Sequence, residues 1–524
     1  MHRHRNRIAQ IIEKTEEKQT FEELLNMSIC TALKLKDRGL DQNDIACVCL
    51  SNGKYTSVPY LAGLFLGFTM SAIDVTFNVK DIAFFLKLAK PSIIFVDTEK
   101  LADIEEALLE VGKSIKIIVV GDSIEGLENI QDYLVSSIDE SRKFTPYQVK
   151  SMRENCAIFF SSGTSGYPKA ICLSHFNLLY QIVYASVTCN LNDVLLSYTS
   201  FYWISGVILL GYCILTGSPR ILPMPFDVSR FYKLLDKHKV IEVHFQVQIA
   251  FLGPHECIAL IKSNKPEKIV TSSLKWIVAG GAALKEDAVS SLKCSFQSCN
   301  VIQSYGQTET AGPMFRWDIT KPEDFELCIA KPASIGRPCG GIWYKVTDEN
   351  TGSILGPYKT GEICIKSDTL IMNGYYRRDA SECFDSNGWL KTGDLGYYDE
   401  YHCFYIMDRI KELIKYKGWH VPPLILENLL LKHPVVANAV VIGIPHPEDG
   451  EHPTGFIILE HGVDPASVNL QDISEFVNRQ VDEKKHLRGG VVIVESFPLT
   501  VTGKVNRRIL RDSLLRMNVI QKTK

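Results

Sequence analysis

The chain has 524 residues, of which 46% are apolar and 22% are charged, so length and composition predict a globular protein of more than one domain. A net charge of -3 without a dominant basic face argues against nucleic acid as a partner. The longest apolar runs, Tyr60–Ile73 and Gly206–Leu215, are too short to cross a bilayer and predict no transmembrane segment.

The cysteines and the chain ends bear on the cellular compartment. The 15 cysteines form no CxxC pair, and no His cluster has metal-ligand spacing, so we expect reduced thiols in an intracellular protein without structural zinc. Ile8–Leu25 is predicted to be helical, and its Glu and Lys residues exclude the apolar core of a signal peptide. The last residues, Gln521–Lys524, are not the peroxisomal Ser-Lys-Leu signal. Cytoplasmic location is therefore the default expectation, with the peroxisome as an alternative.

Helices and short apolar strands alternate in the first part of the chain, which is typical of parallel sheets covered by helices on both faces. The pattern predicts an α/β fold, with a large N-terminal domain of layered, mostly parallel sheets flanked by helices. The predicted elements are the helices Phe21–Leu35 and Tyr60–Leu66 and the strands Ile45–Leu50, Ser92–Val96 and Ile115–Val120.

A loop of small hydroxyl residues and glycines, Ser161–Lys169, joins two predicted strands, Ala157–Phe160 and Ala170–Leu173. Its backbone N–H groups and hydroxyls, with the charge of Lys169, suit a polyphosphate. The loop lacks the Walker A spacing. A flexible surface turn would have the same composition.

The next segment is predicted to contain the helix Leu178–Val187, the strand Val194–Tyr198 and the helix Val207–Leu215. A strand, Trp276–Ala279, then runs into Gly280, Gly281 and Ala282. Glycines at a strand end allow a planar ring to lie against bare backbone, which suits adenine. A tight strand-to-helix turn is the alternative.

Two later clusters carry candidate ligands. Polar residues follow the apolar pair Val301–Ile302, where we expect a strand to end; Thr308 can donate to a phosphate or carboxylate, and Glu309 is a hard oxygen ligand suited to Mg²⁺. A solvated loop is the alternative. Asp394 lies between glycines in a predicted turn and can accept both hydroxyls of a ribose, although an Asx turn also explains it.

A charge-rich turn near residues 407–418 predicts a boundary between an N-terminal domain, residues 1–407, and a small α+β domain, residues 408–524. The smaller domain has its own apolar elements and ends in a loop that presents Lys504 just after a glycine. Most surface lysines have no chemical role, so Lys504 alone is weak evidence.

The order and spacing of these motifs resemble those of the adenylate-forming superfamily, which includes acyl-CoA synthetases, 4-coumarate-CoA ligases and beetle luciferases. The resemblance extends from about Thr20 to Leu514. It implies that a carboxylic acid attacks the α-phosphate of ATP to give an acyl-adenylate and pyrophosphate. A thiol, most simply that of coenzyme A, then displaces AMP to form a thioester.

The resemblance also implies roles for individual residues. Lys504, Lys415, Thr308 and Glu309 would act in catalysis, with Glu309 as the Mg²⁺ ligand and Lys504 stabilising charge in the adenylation transition state. The C-terminal domain would be a mobile lid that rotates about a hinge at or near Lys411 to bring Lys415 and Gly418 to the site.

The resemblance also implies which residues line the nucleotide pocket and the acid pocket. The implied nucleotide-binding residues are Ser161, Ser162, Gly163, Thr164, Ser165, Gly166, Lys169, Gly280, Gly281, Ala282, Tyr305, Thr308, Asp394, Arg409 and Lys504. The implied acid-pocket residues are Trp203, Gly206, Gly280 and Gly306. The pocket-side segments are mainly apolar with no evident fixed cation, which favours a hydrophobic acid, as in fatty acid metabolism.

The chain departs from the family pattern at several points. Ala170 replaces the usual glycine after Lys169, Trp203 replaces a frequent His, and Ile425 replaces an acidic residue after the hinge. The N-terminus also begins late. Two alternatives therefore stay open, a luciferase-like monooxygenase that reacts the acyl-adenylate with O₂ and a non-catalytic acyl or nucleotide binder. The acid, the true thiol acceptor and the oligomeric state are not predicted.

Overall fold

A computed structural model describes residues 1–112, 114–136, 138–161, 168–189, 194–237, 247–263, 266, 269, 271–281, 284, 286–349, 351–417, 419–499 and 505–522. The side chains described within these ranges exclude those of residues 138–140, 189, 237 and 515–522. Within the described residues no helix is both long and apolar enough to cross a membrane.

The first sheet, called the N-terminal sheet, has eight strands in the described residues, and six of them run parallel. In spatial order the strands are Gly374–Tyr375, Lys169–Ser174, Asn155–Ser161, Thr69–Ala72, Ile45–Cys49, Ile93–Asp97, Lys116–Val120 and Glu128–Asn129. The accompanying helices are Phe21–Asp37, Ser57–Leu66, Val79–Ala89, Leu101–Val111, Ile138–Lys143 and His175–Cys189. Buried apolar side chains of this sheet and its helices form one continuous core.

The second sheet, called the central sheet, has nine strands in the described part of the chain, with a parallel middle and antiparallel edges. In spatial order they are Arg337–Pro338, Gly312–Arg316, Asn300–Gln307, Trp276–Gly280, Val247–Leu252, Val194–Ser197, Arg220–Leu222, Ile8–Ile12 and Lys18–Thr20. Its helices are Ile204–Thr216, Val228–Lys237, Pro254–Lys262, Glu286–Ser295 and Pro322–Ala330. The predicted α/β class of layered, mostly parallel sheets is confirmed.

The prediction of a helix over Ile8–Leu25 is wrong in its first half. Ile8–Ile12 is a strand that runs parallel to Arg220–Leu222 and pairs with the next strand in a hairpin. The helix begins only at Phe21, after a capping box in which Thr20 and Glu23 satisfy each other's backbone N–H groups. The apolar run of the first strand is buried against a distant strand, and this long-range pairing outweighs the charged residues that suggested a helix.

A third sheet is wholly antiparallel and consists of the strands Ile354–Leu355, Trp343–Thr347, Gly361–Lys366, Leu390–Tyr398 and Phe404–Arg409. The predicted turn around Asp394 is wrong, because this residue lies in the middle of a nine-residue strand. The strand that we expected to end at Ile302 also continues to Gln307, because residues 305–307 pair with the antiparallel strand Gly312–Arg316.

The C-terminal residues form an α+β unit. Its sheet contains Trp419–Val421, Ile414–Tyr416, Gly450–Leu459 and Val436–His446, and Val491–Ile493 pairs in parallel with the third of these. Its helices are Pro423–Leu430, Leu470–Asn478 and Arg507–Lys522. Two apolar clusters here consist only of residues between Ile414 and Leu514, so this unit has cores of its own.

A buried carboxylate stands where the third sheet passes into this unit. Asp408 is 7% exposed and accepts hydrogen bonds from the backbone N–H groups of Leu424, at 3.0 Å, and Arg409, at 2.7 Å. Burial raises the pKa of Asp408 to about 6, although the two hydrogen bonds oppose the shift.

We expect Asp408 to give the chain a measurable pH dependence. A carboxyl pKa that is higher in the folded state makes stability fall as pH rises from about 4 to about 6 and stay level above that. The difference between 3.8 and about 6 corresponds to at most about 3 kcal/mol. Asp408→Asn keeps an acceptor oxygen and removes the charge. The melting temperature of this variant relative to the wild type should therefore be higher at pH 7.5 than at pH 4.5. Asp472→Asn, on an exposed helix position, is the matched control, and an equal change in both variants contradicts the prediction.

Candidate active site

The parallel strands of the central sheet end together at one edge. Register pairs Ala279 with Gln303 and Gly280 with Ser304, so the glycine pair after one strand lies beside the start of the next strand's polar segment. Ser197 pairs with Phe251 at the same level. Ligands of open α/β sheets bind at such carboxyl edges. Gly281, with φ +108°, adopts a conformation that favours glycine.

Asp394 is the centre of the polar network beside this edge. Its side chain is 2% exposed, yet the carboxylate meets donors from three directions. Oδ2 accepts hydrogen bonds from the Tyr305 hydroxyl and from Gln307 Nε2, the latter at 2.6 Å. Oδ1 is 3.1 Å from Arg409 Nε, across the register pair of the two strands that carry Asp394 and Arg409. The carboxylate therefore connects the central sheet to the third sheet.

The burial and charges of this network shift the pKa of Tyr305 and of Arg409. Burial raises the pKa of the Tyr305 hydroxyl well above its ordinary value, and the charge of Asp394 adds to the shift. Burial is the largest influence on Arg409 and lowers its pKa, but Asp394, Tyr305, Glu412 and Glu309 together outweigh burial and raise the pKa of this guanidinium. Tyr305 is thus held as a neutral donor and Arg409 as a cation.

Thr308 and Glu309 lie in the short 3-10 helix Thr308–Thr310 that ends this strand. The Glu309 carbonyl oxygen accepts a hydrogen bond from Met372 N at 2.8 Å, which fixes the turn against the segment before Gly374. In the described part of the chain, no side chain donates a hydrogen bond to the Glu309 carboxylate. Glu309 lies near enough to Tyr375 and Arg409 for its charge to act on both.

Lys169 begins the strand that follows the predicted phosphate loop, paired with Ser161. Its Nζ is 2.8 Å from Glu382 Oε1 and 4.6 Å from the centre of the Tyr375 ring. The same Glu382 oxygen is 3.1 Å from Arg378. The Lys169 hydrogen bond lowers the pKa of Glu382, which stays ionised between the two cations.

A pocket of about 370 Å³ opens beside Lys169. It is rich in cations for its size. Its lining includes Lys87, Lys90, Pro168, Lys169, Arg377 and Arg378. A cavity of this charge suits an anion.

Two glycines expected in the acid pocket have a structural reason to be glycine. A Cβ on Gly306 would lie 2.0 Å from the Gly312 carbonyl oxygen, and one on Gly206 would lie 2.4 Å from the Ser200 carbonyl oxygen. Each glycine allows two backbone segments to touch. Trp203 is 38% exposed and packs edge-on against Tyr202, with ring centres 5.2 Å apart.

Several predicted site residues are not part of this network or lie outside the described residues. Lys415 is exposed in the C-terminal sheet, where its N–H donates to Glu451 Oε2 at 2.9 Å. Lys411 lies in the 3-10 turn Ile410–Glu412 between the third sheet and the C-terminal sheet. The positions outside the described residues are Ser162, Gly163, Thr164, Ser165, Gly166, Ala282, Gly418 and Lys504.

Sequence reasoning missed four residues of the network: Gln307, Tyr375, Arg378 and Glu382. Gln307 lies in the motif from which Tyr305, Thr308 and Glu309 were predicted as site residues. The same motif could therefore have identified the Gln307 amide. Glu382 and Arg378 are charged residues of a surface turn, and they meet Lys169 only because Gly374–Tyr375 pairs with the strand Lys169–Ser174. No local pattern indicates that contact.

Two family models match the chain over most of its length. Residues 1–376 match the model of the AMP-binding enzyme family, and residues 426–504 match that of the AMP-binding enzyme C-terminal domain. The chain belongs to the AMP-binding enzyme family. It is 32% identical over 511 residues to a luciferin 4-monooxygenase of Photuris pensylvanica, covering 95% of this chain and 90% of that protein. It is 30% identical over 501 residues to 4-coumarate–CoA ligase-like 9 of Arabidopsis thaliana, covering 94% and 84%.

Solved structures of AMP-binding enzymes share the fold. The luciferase-like enzyme of the nonluminescent mealworm Zophobas morio is 32% identical with a TM-score of 0.73, over 79% of this chain and 94% of that chain. The o-succinylbenzoate–CoA synthetase of Bacillus subtilis, in complex with ATP and magnesium ion, has a TM-score of 0.76 at 23% identity, over 96% of each chain. The predicted resemblance to adenylate-forming enzymes is confirmed.

The close approach at Gly306 gives a direct test of its structural role. Gly306→Ala should destabilise the protein by about 2 kcal/mol or more, because backbone rather than a flexible side chain must yield. In a differential scanning calorimetry trace this is a fall in melting temperature of about 2 °C or more. Gly356→Ala is the control, since a Cβ there meets nothing within 4 Å. Equal melting temperatures for the two variants would mean that Gly306 is not structurally required.

Proposed function

We propose that this AMP-binding enzyme activates a hydrophobic carboxylic acid with ATP and transfers the acyl group to coenzyme A. The observation that carries the proposal is the buried carboxylate of Asp394, which pairs with Arg409 beside the carboxyl edge of the central sheet. It is supported by the cationic pocket at Lys169 and by Glu309, whose charge acts on Arg409. A cation for phosphate, a carboxylate without a hydrogen-bonding side chain and a buried acceptor for hydroxyls are the groups that a nucleotide triphosphate requires.

The triphosphate end of ATP is assigned to the loop 161–169 and to the cationic pocket beside it. Lys169 and Arg378 already hold one carboxylate, that of Glu382, so the site has been built around negative charge. A phosphate oxygen can take the place of Glu382, which is 57% exposed and free to turn into solvent. The loop would add backbone N–H groups.

The nucleoside end is assigned to Gly280, Gly281 and Tyr305 for adenine and to Asp394 with Arg409 for ribose. Asp394 Oδ2 already accepts from Tyr305 and Gln307, so a ribose hydroxyl would share or displace one of these donors. Thr308 would contact the α-phosphate. Glu309 would fit Mg²⁺, because no side chain among the described residues donates a hydrogen bond to its carboxylate; the ion would neutralise phosphate charge.

The C-terminal unit is proposed to act as a lid, with the boundary near residue 407 and a hinge at Lys411. Its contacts to the rest of the chain include exposed ion pairs, Lys262–Glu460 at 3.2 Å and Lys432–Asp287 at 3.5 Å. Such pairs contribute little stability and break readily. We assign Lys504 to the adenylation step and Lys415 to thioester formation, in two positions of the same lid.

The proposal is tested by acid-dependent ATP–pyrophosphate exchange over a panel of aliphatic and aryl acids. Wild type should exchange with at least one hydrophobic acid. Lys504→Ala should reduce exchange by about 100-fold or more, as expected for loss of a group that stabilises transition-state charge. Lys415→Ala should keep exchange and lose acyl-CoA formation, and the exposed Lys359→Ala is the control for a lost charge. Absence of exchange across the panel, with ATP still bound, would support a non-catalytic binder.

Glu382 should compete with ATP for Lys169 and Arg378. Glu382→Gln removes the competing charge, so the KM for ATP should fall about two- to five-fold, the range expected for an exposed ion pair. Asp379→Asn changes net charge equally in the same turn without touching Lys169 and should leave the KM unchanged. A higher KM in Glu382→Gln would show that Glu382 positions Lys169 rather than competing with ATP.

A luciferase-like oxygenation is a second candidate, favoured by the 32% identity to a luciferin 4-monooxygenase. It would use the same acyl-adenylate with O₂. Light emission with luciferin and Mg-ATP would support it, whereas darkness together with efficient acyl-CoA formation would exclude it.

A further inference from the structure

A β-hairpin of the C-terminal sheet brings together two imidazoles and a carboxylate that have no role in the proposed ATP site. His446 ends one strand, Asp449 lies in the turn and His452 belongs to the returning strand. One ligand atom from each residue lies within 4.8 Å of the other two. Asp449 Oδ2 is 2.8 Å from His452 Nε2 and 3.7 Å from His446 Nδ1.

This cluster corrects the expectation that no His cluster has metal-ligand spacing. The hairpin register pairs His446 with Gly450, so His452 is the diagonal cross-strand neighbour on the same face. The two rings stack with centres 3.9 Å apart. The ligands are assembled by strand pairing rather than by a consecutive motif.

We propose that His446, Asp449 and His452 bind a divalent cation of the zinc class. Two imidazoles with one carboxylate are donors that zinc prefers, whereas Mg²⁺ and Ca²⁺ prefer oxygen alone. Ligand atoms of a tetrahedral zinc site lie about 3.4 Å apart. The two measured separations from Asp449 Oδ2 lie on either side of this value. The His446, Asp449 and His452 side chains are 37%, 16% and 19% exposed, so water can complete the coordination.

The site is connected to Lys417, which directly follows the strand Ile414–Tyr416 that carries Lys415. Asp449 Oδ1 is 3.3 Å from Lys417 Nζ, and the Asp449 carbonyl oxygen accepts the Lys417 N–H at 2.8 Å. Lys417 has φ +46°, a left-handed conformation that these contacts help to hold. A dication on Asp449 weakens the attraction between this carboxylate and the Lys417 ammonium. Metal binding therefore alters the contacts that hold Lys417. Its effect on thioester formation rests on the proposed function, but binding and the loop change do not.

Calorimetric titration of the full-length, chelator-treated protein with Zn²⁺, without nucleotide, tests the binding. We expect one Zn²⁺ per chain, with affinity at least about tenfold weaker in His446→Gln and in His452→Gln. His461→Gln, an exposed His of the same unit, is the matched control. Zn²⁺ affinity that is equal in all four proteins, or absent in the wild type, overturns the site and leaves only a His–Asp hydrogen bond.

Tryptophan fluorescence tests the connection to the loop without measuring activity. Trp419 is 53% exposed, and Lys484 Nζ lies 3.4 Å from its ring centre. Zn²⁺ should change the emission of the wild type and of His461→Gln, but not that of Trp419→Phe or His446→Gln. Stoichiometric binding without a change that depends on Trp419 overturns the coupling. A failed ligase assay affects neither readout, so loss of the proposed function and loss of this site are distinguishable.

Discussion

The buried carboxylate of Asp394 is the contact on which the arrangement of the site depends. It receives Tyr305 and Gln307 from the central sheet and Arg409 from the third sheet, and it is 2% exposed. A buried charge without partners would be strongly destabilising, so these three donors and the carboxylate constrain one another. The strand that carries Arg409 leads directly into the 3-10 turn and the C-terminal unit. The Asp394 carboxylate thus holds the central sheet against the third sheet, next to the turn that leads into the proposed lid.

The junction and the surface contacts of the C-terminal unit differ in strength. At the junction, Arg507 lies 2.7 Å from Glu427 and 3.1 Å from Glu412 and is only 26% exposed, and Asp408 holds the N-terminus of the following helix. Away from the junction, exposed pairs such as Lys432–Asp287 join the unit to the central sheet's helices. The proposed lid would need a firmly held junction and weak contacts elsewhere, so that the C-terminal unit can take two positions over the ATP site.

The sequence allowed prediction wherever local pattern and burial agree. Apolar runs such as Ile93–Asp97 are strands because they are buried on both faces of a parallel sheet. The family motifs also pointed to Asp394 and Arg409, whose side chains lie 3.1 Å apart. The roles given to these residues stay predictions.

Prediction failed where a distant strand decides the outcome. The glycines around Asp394 suggested a turn, but pairing with two neighbouring strands extends the backbone there. The contact of Glu382 with Lys169, and the approach of His446 to His452, depend on strand register that no short window of sequence contains. Residues 162–167 of the predicted phosphate loop, and Lys504, lie outside the described residues.

Product analysis by mass spectrometry, after incubation with Mg-ATP, coenzyme A and hydrophobic acids, tests the central claim most directly. We expect AMP and one acyl-CoA in equal amounts, with no product when the acid is omitted. ADP in place of AMP, or unchanged ATP with every acid although the protein binds ATP, would contradict it.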